Sequence, residues 1–388
     1  MKAKSERKQG LILSQSMKYK NVTVFGGGNA GFAATACLSL QGCQVVLCDF
    51  PEFESAIEPV KQAGYIDLIR QDGPFAGQAK VHRVTTDIAV AVTGAELVVL
   101  ACQAAAHGRF AREAAQFLRD GQHVLLLPGT CFGAYEFRKQ YAAAGGNAKI
   151  VVAESNTFIC ATRRTKVPNQ SLVKHWATEV FISAFPAQDT PLILNPFKEL
   201  FPQCVAGVDI LETCLLNLNP YVHSAPAVLS ISAVERREAA GKDFFHYIDG
   251  ITPSTAKAMI ALDEERVELC RRLGYREWSV AKIFYRAGYM GQLTGDWVAD
   301  MQSKPVLVEA KGPFNARYRY YTEDTGVGLT VVYSIGQALG VAMPTHHALI
   351  HLCGLFNETD YFAKCTRSLD ALGIRASSLA ELKQTFNR

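Results

Sequence analysis

The stretch "KNVTVFGGGNAGFAATACLSLQGCQVVLCDF", residues 20–50, decides the fold. "NVTVF" is a short β-branched apolar run and reads as a strand. "NAGFAATACLSLQG" is rich in Ala and Leu and ends on Gly42, a helix with its stop signal. "CQVVLCDF" reads as a second buried strand, which completes a βαβ unit. Between the first strand and the helix the glycines follow the spacing Gly26-x-Gly28-x-x-Gly31. Gly26 permits the tight turn out of the strand, Gly28 lets backbone approach a pyrophosphate, and Gly31 lets the helix pack close to the strand. The pyrophosphate of a dinucleotide would sit on the helix N-terminus at Asn29 and Ala30, where free N–H groups and the helix dipole favour an anion. Asp49 ends the second strand, 18 residues beyond Gly31. A carboxylate there is placed to accept a ribose 2′-OH and to repel a 2′-phosphate, and no arginine follows directly. The expected cofactor is therefore NAD, with NADP less favoured.

Working outward, "AELVVLACQ" (95–103), "HVLLLPG" (123–129) and "KIVVAES" (149–155) are further apolar strands, and the first two flank a helical pattern. Strands alternating with helices predict a doubly wound, mostly parallel, Rossmann-like α/β sheet. Ligands bind beyond the C-terminal ends of such strands, which places Ala101 beside the cofactor and makes Gln103, His107 and Thr130 candidate substrate contacts. His107 reads equally as a helix-surface histidine. "PLILNPFKELFP" (191–202) reads as a connector. After it the apolar spacing is mostly helical, so an all-α C-terminal domain is expected. The predicted division is a disordered basic extension over 1–19, a dinucleotide-binding domain over 20–195 and a helical substrate domain over 196–388. The site belongs in the cleft between the two domains.

The 388 residues are 49% hydrophobic and 20% charged, ordinary for a globular protein with a large core. The net charge of +4 is concentrated in residues 1–20, which carry six Lys/Arg and one Glu; the remainder is close to neutral. A neutral body argues against a nucleic-acid footprint. No apolar run reaches the ~20 residues of a membrane span. The N-terminal "LIL" is too short for a signal peptide, and Met17 is a plausible alternative start. The 11 cysteines are scattered without a CxxC pair and mostly lie in apolar context, which reads as reduced, buried thiols of a cytoplasmic protein.

In the second half, "NLNPYVHSAPAVL" (217–229) holds His223 between Pro220 and Pro226. Proline fixes φ and removes a donor, so the segment is locally stiff. It is either a turn with a buried histidine or a device that fixes an acid/base group. The other notable stretch is "RYRYYTEDTGVGL" (317–329). "NPYVHSAP" and this stretch, taken with "PGTCFGAYEF", "ESNTFICATR" and "LGYREWSVAKIF", resemble the opine dehydrogenase family of octopine/nopaline-type enzymes, over nearly the whole chain from residue 20 onward. The resemblance implies an NAD(P)H-dependent condensation of an amino acid with a 2-oxo acid, reducing the resulting imine to an opine. Pyruvate is the default oxo acid, with 2-oxoglutarate as the alternative. The resemblance maps a histidine–aspartate pair onto His223 and Asp324, and a carboxylate-binding arginine onto Arg319. These residue types suit the reaction. Histidine titrates near neutrality, a carboxylate on its far nitrogen fixes the tautomer and favours the imidazolium, and an arginine fork holds a carboxylate bidentately. Where the family often has Val-Pro after "TED", this chain has Thr325-Gly326, which predicts a looser loop.

Two other readings compete. One is a plain 2-oxo-acid reductase of the ketopantoate-reductase plan, which usually relies on a lysine that neither motif supplies. The other is a dinucleotide-binding sensor without turnover, which would not need His223, Arg319 and Asp324 together. "THHALIHL" puts His347 and His351 on one helix face, but no third ligand stands near, so no metal is expected.

Overall fold

The computed structural model describes residues 19–375 and 378–387. All but the last residue of the basic extension lies outside the described residues. The βαβ unit forms as read: β1 (Asn21–Phe25), helix α1 (Asn29–Leu40) and β2 (Gln44–Cys48), with the two strands parallel. Further strands are β3 (Tyr65–Arg70), β4 (Gly77–Lys80), β5 (Arg83–Thr85), β6 (Leu97–Leu100), β7 (His123–Leu126), β8 (Val151–Ser155), β9 (Cys160–Arg164), β10 (Gln170–Trp176), β11 (Val180–Phe185) and β12 (Cys204–Ala206). Eight of them make one sheet in the order β12-β11-β8-β7-β6-β1-β2-β5. Strand order reverses at β1, with β2 on one side and β6 on the other, and this leaves the crevice that takes ligands in such sheets.

Three features add to or depart from the expectations. First, the sheet is mostly parallel, as read, with one exception: β11 runs antiparallel to β8, and β12 lies parallel to β11 at the edge. Second, β4-β3-β10-β9 form a separate sheet of four strands that covers α1. Its polar stretches, such as "TRRTKVPNQSLVKHW", hide the strand pattern because one face carries charge. Third, "PLILNPFKELFP" is not a connector. Residues Thr190–Lys198 form a helix that packs on β11 and β12, with Pro191 in its first turn and Ile193 and Phe197 fully buried. Burying such side chains is worth roughly 1.5–3 kcal/mol each, enough to hold a helix that contains Pro196.

The second half is helical, as expected. Its long helix Pro253–Leu273 begins where the Thr252 hydroxyl accepts the Thr255 N–H and ends at Gly274 with φ +68°. The "NPYVHSAPAVL" stretch is also a helix, α2 (Asn219–Leu229), and not a turn. Pro220 stands in its first turn, where the missing N–H costs nothing. Pro226 stands inside it. The C-terminal segments return to the first half, where Leu369, Leu372, Leu382 and Phe386 join the core under the helices that follow β6 and β7. Among the described residues no helix is long and apolar enough to cross a membrane.

Candidate active site

The glycine turn has the shape a dinucleotide requires. Gly26 has φ +123°, and a Cβ there would lie 2.6 Å from the Ala101 carbonyl oxygen. A Cβ on Gly31 would come within 1.6 Å of the Gly26 carbonyl oxygen, so α1 packs against the turn only because residue 31 has no side chain. Gly28 caps α1, and a Cβ there would meet nothing within 4 Å. Backbone at the helix mouth is therefore not covered by any neighbouring side chain.

Asp49 is tied to this turn. Its Oδ2 accepts the Gly27 N–H at 2.6 Å and its Oδ1 the Phe50 N–H at 2.8 Å. Arg164, which the motif reading missed, braces the turn from β9. Its backbone N–H donates to Asn29 Oδ1 at 2.7 Å, its guanidinium donates to the Gly27 carbonyl at 3.1 Å, and the group lies over the Phe32 ring. Ala30 is half-buried against the core on that side. Arg109 lies over the Phe50 ring, but its charge is already taken by Glu52 and Glu113.

Of the strand-end candidates, Ala101 is buried beside the turn and Gln103 is exposed at the start of the helix Ala104–Ala114. The Ala104 N–H donates to Glu323 Oε1 at 2.9 Å, a link between the two halves at the site. His107 is neither a surface residue nor open to the cleft. It is fully buried, and its Nδ1 accepts from Arg367 Nη2 at 2.9 Å. Burial and Arg367 both push its pKa well down, so it is a neutral packing residue. Thr130 is buried in a run with Cys131 and Phe132 in which all three φ angles are positive. Left-handed backbone costs roughly 1–2 kcal/mol per residue. Arg367 offsets part of it by donating to the Gly129 and Thr130 carbonyls. Nothing near residue 367 in sequence signals that role.

The second-half motifs meet in space. His223 Nδ1 lies 2.8 Å from Asp324 Oδ2, although 101 residues separate them. Asp324 belongs to a π-helical segment, Tyr320–Leu329, packed along α2. Such wide turns are rare and frequent at functional sites. The predicted looseness at Thr325-Gly326 is not found. Gly326 is buried, and a Cβ there would strike the Tyr361 ring at 2.5 Å. Arg319 Nη2 lies 3.5 Å from Asp324 and its Nε 3.5 Å from Glu323, while 37% of its side chain stays exposed.

The imidazole is held on several sides. The Tyr320 ring stacks on it at 3.8 Å between centroids. The His246 ring meets it edge-on at 5.5 Å. Pro226 explains His246. Having no N–H, Pro226 cannot bond the Val222 carbonyl four residues back. The His246 Nε2–H donates to that carbonyl instead, at 3.0 Å. Burial lowers His246 to a pKa of about 3, so it stays neutral in this role.

Burial also pushes His223 below its ordinary value; Asp324 pulls it back up, and Arg319 and Arg163 push it down. The carboxylate thus does not win, contrary to the expectation that it would favour the imidazolium. Burial raises Asp324, but Arg319 and His223 outweigh it and hold the carboxyl below its usual range. The resting pair is a neutral imidazole with its proton on Nδ1 and an ionised Asp324. The free Nε2 can then accept a proton from a substrate.

The family described as NAD/NADP octopine/nopaline dehydrogenase, alpha-helical domain, matches residues 207–357. An opine dehydrogenase of Arthrobacter sp. (strain 1C) is 30% identical over 365 residues, 94% of this chain and 98% of that one. The chain belongs to the opine dehydrogenase family. It is therefore an NAD(P)-dependent oxidoreductase. Among opine dehydrogenase structures, octopine dehydrogenase with NADH and L-arginine superposes with a TM-score of 0.74 at 19% identity, covering 95% of this chain and 98% of that one. Yersinopine dehydrogenase with NADP+ superposes with a TM-score of 0.71 at 14% identity, covering 96% and 99%. At such identities the likeness is one of fold.

Proposed function

We propose that the protein condenses an amino acid with a 2-oxo acid, pyruvate by preference, and reduces the product to an N-(carboxyalkyl) amino acid. The observation that carries this reading is the His223–Asp324 pair set beside an accessible Arg319. The bound cofactor would supply the hydride. Gly26, Gly28, Asn29, Ala30, Gly31 and Ala101 would form its cradle, with Asp49 at the ribose.

His223 Nε2 takes one proton from the ammonium of the amino acid, and the freed amine attacks the carbonyl carbon. A second amine proton passes to the former carbonyl oxygen. His223 returns its proton to that hydroxyl, which leaves as water while the nitrogen lone pair forms the C=N bond. The iminium retains the third proton and is the reducible species. Asp324 keeps the imidazole in the Nδ1–H tautomer and stabilises it while charged. Arg319 holds the oxo-acid carboxylate through its exposed face. Gln103, exposed at the start of the helix after β6, would border the space for the amino acid.

NAD is the favoured cofactor. Support comes from the Asp49 carboxylate at the end of β2 and from Arg109, whose charge is already paired; kcat/KM for NADH above that for NADPH is the expected result. The 11 free cysteines, all but one buried, support a cytoplasmic location. Replacing His223 by Asn tests the assignment. NADH binding should persist while kcat falls roughly 10²–10⁴-fold, the usual worth of an acid/base group. Full turnover in H223N would refute it.

A further inference from the structure

Strand β9 carries two adjacent arginines, and the pleat turns them to opposite sides. Cys160, Thr162 and Arg164 share one face: Cys160 lies in the core beneath the dinucleotide sheet, Thr162 bonds Ser171 on β10, and Arg164 holds the glycine turn. Ala161 lies on the other face and packs against the core of the helical half, the cluster that contains Tyr221, Val222 and Tyr320. Arg163 follows Ala161 on that face. It is exposed, and among the described residues its side chain makes no hydrogen bond or ion pair. Its charge reaches His223, Tyr247 and Tyr320. A free guanidinium thus stands on the face of β9 that turns toward the helical half, next to the point where Ala161 meets the cluster around Tyr320.

The charge balance of the pocket leaves work for it. Arg319 is a single cation shared by two carboxylates, Glu323 and Asp324. An opine carries two carboxylates of its own, one from each precursor. With Arg319 on one of them, the other meets a site whose remaining fixed charge is negative.

We infer that Arg163 binds the carboxylate of the amino-acid substrate and so selects α-amino acids over the corresponding amines. This rests on the proposed condensation. The planar fork suits a carboxylate, and a cation outside the Arg319–Asp324 cluster would give the second anionic end of the product a partner of its own.

The test compares the full-length wild type with Arg163→Gln and Arg163→Lys. Pyruvate and NADH are supplied with three matched pairs: L-arginine and agmatine, L-phenylalanine and phenethylamine, L-methionine and 3-methylthiopropylamine. Wild type should prefer the acid of an accepted pair by roughly ten- to a hundredfold in kcat/KM, the worth of one charge-assisted pair. R163Q should lose that preference through the amino-acid KM, with the pyruvate and NADH constants unmoved, and R163K should recover part of it. An unchanged preference, or a rise confined to the NADH constant, would overturn the assignment. Calorimetry on the NAD+-loaded protein decides independently of turnover, using 2,2′-iminodipropionate and its single-carboxylate analogue N-propylalanine. A dicarboxylate preference that R163Q erases supports the carboxylate site even if no pair reacts, in which case the condensation reading alone fails. No preference in the wild type overturns the site.

Discussion

His223 can act as a base near neutrality because burial lowers its affinity for a proton while Asp324 fixes that proton's absence on Nε2. In the direction of opine oxidation the neutral imidazole is the competent form, so kcat/KM should fall as pH drops through a midpoint below 6.5. Asp324 raises that midpoint, so Asp324→Asn should move it lower still. The same change frees the wrong tautomer and should reduce kcat by at least roughly 10²-fold. A pH profile of the variant checks both; a midpoint that stays in place would mean that Asp324 does not govern the imidazole. At this scale the meeting of His223, Arg319 and Asp324 was legible, because they stand in recognisable stretches. His246 was not. Its task exists only because a helix formed around Pro226 and left the Val222 carbonyl without a donor, which no reading of residue 246 by itself could reveal.

The elements that carry these residues depend on close backbone approach. The π-helical segment lies against α2 where Gly328 meets Pro220, and a Cβ on residue 328 would fall 2.4 Å from the proline Cγ. A proline ring cannot swing aside, so Gly328→Ala must push the two elements apart and with them Asp324 from His223. Misplacement on the scale of 1 Å costs about 10²-fold in rate. G328A should therefore lose kcat at least about tenfold while NADH affinity holds. Steady-state kinetics beside a cofactor titration would show it, and an unaltered kcat would place the pair outside the reacting geometry. The βαβ unit was legible because every level agreed, from β-branched runs to glycine spacing. The Thr190–Lys198 helix was not, because two prolines outweighed its apolar spacing until the sheet supplied a surface to bury Ile193 and Phe197. The four-stranded sheet escaped notice because its charged face blurs the alternation, and that face carries Arg163.

The whole molecule is joined at the site by groups far apart in sequence. Arg367, 1% exposed, bonds Glu136 and the carbonyls of Ala104, Gly129 and Thr130, so a C-terminal residue holds the strand-end loops of the first half. Removing one partner of such a buried pair strands the other and costs about 3–5 kcal/mol. Arg367→Leu should lower Tm by several degrees and weaken NADH binding, read by thermal unfolding with and without NADH. A Tm equal to wild type would deny the residue this role. The two-half organisation was legible from the change of periodicity; the return of the C-terminus to the first half was not, since it depends on contacts spanning more than 200 residues.

On the proposed reading this site joins two substrates before it reduces them. NADH consumption with pyruvate, in the presence and absence of a mixture of amino acids, decides whether it does. Consumption that requires both substrates, with the amino acids then withdrawn one at a time to name the partner, is the predicted result. Equal consumption with pyruvate alone would make the protein a plain oxo-acid reductase and contradict the roles given to His223 and Asp324.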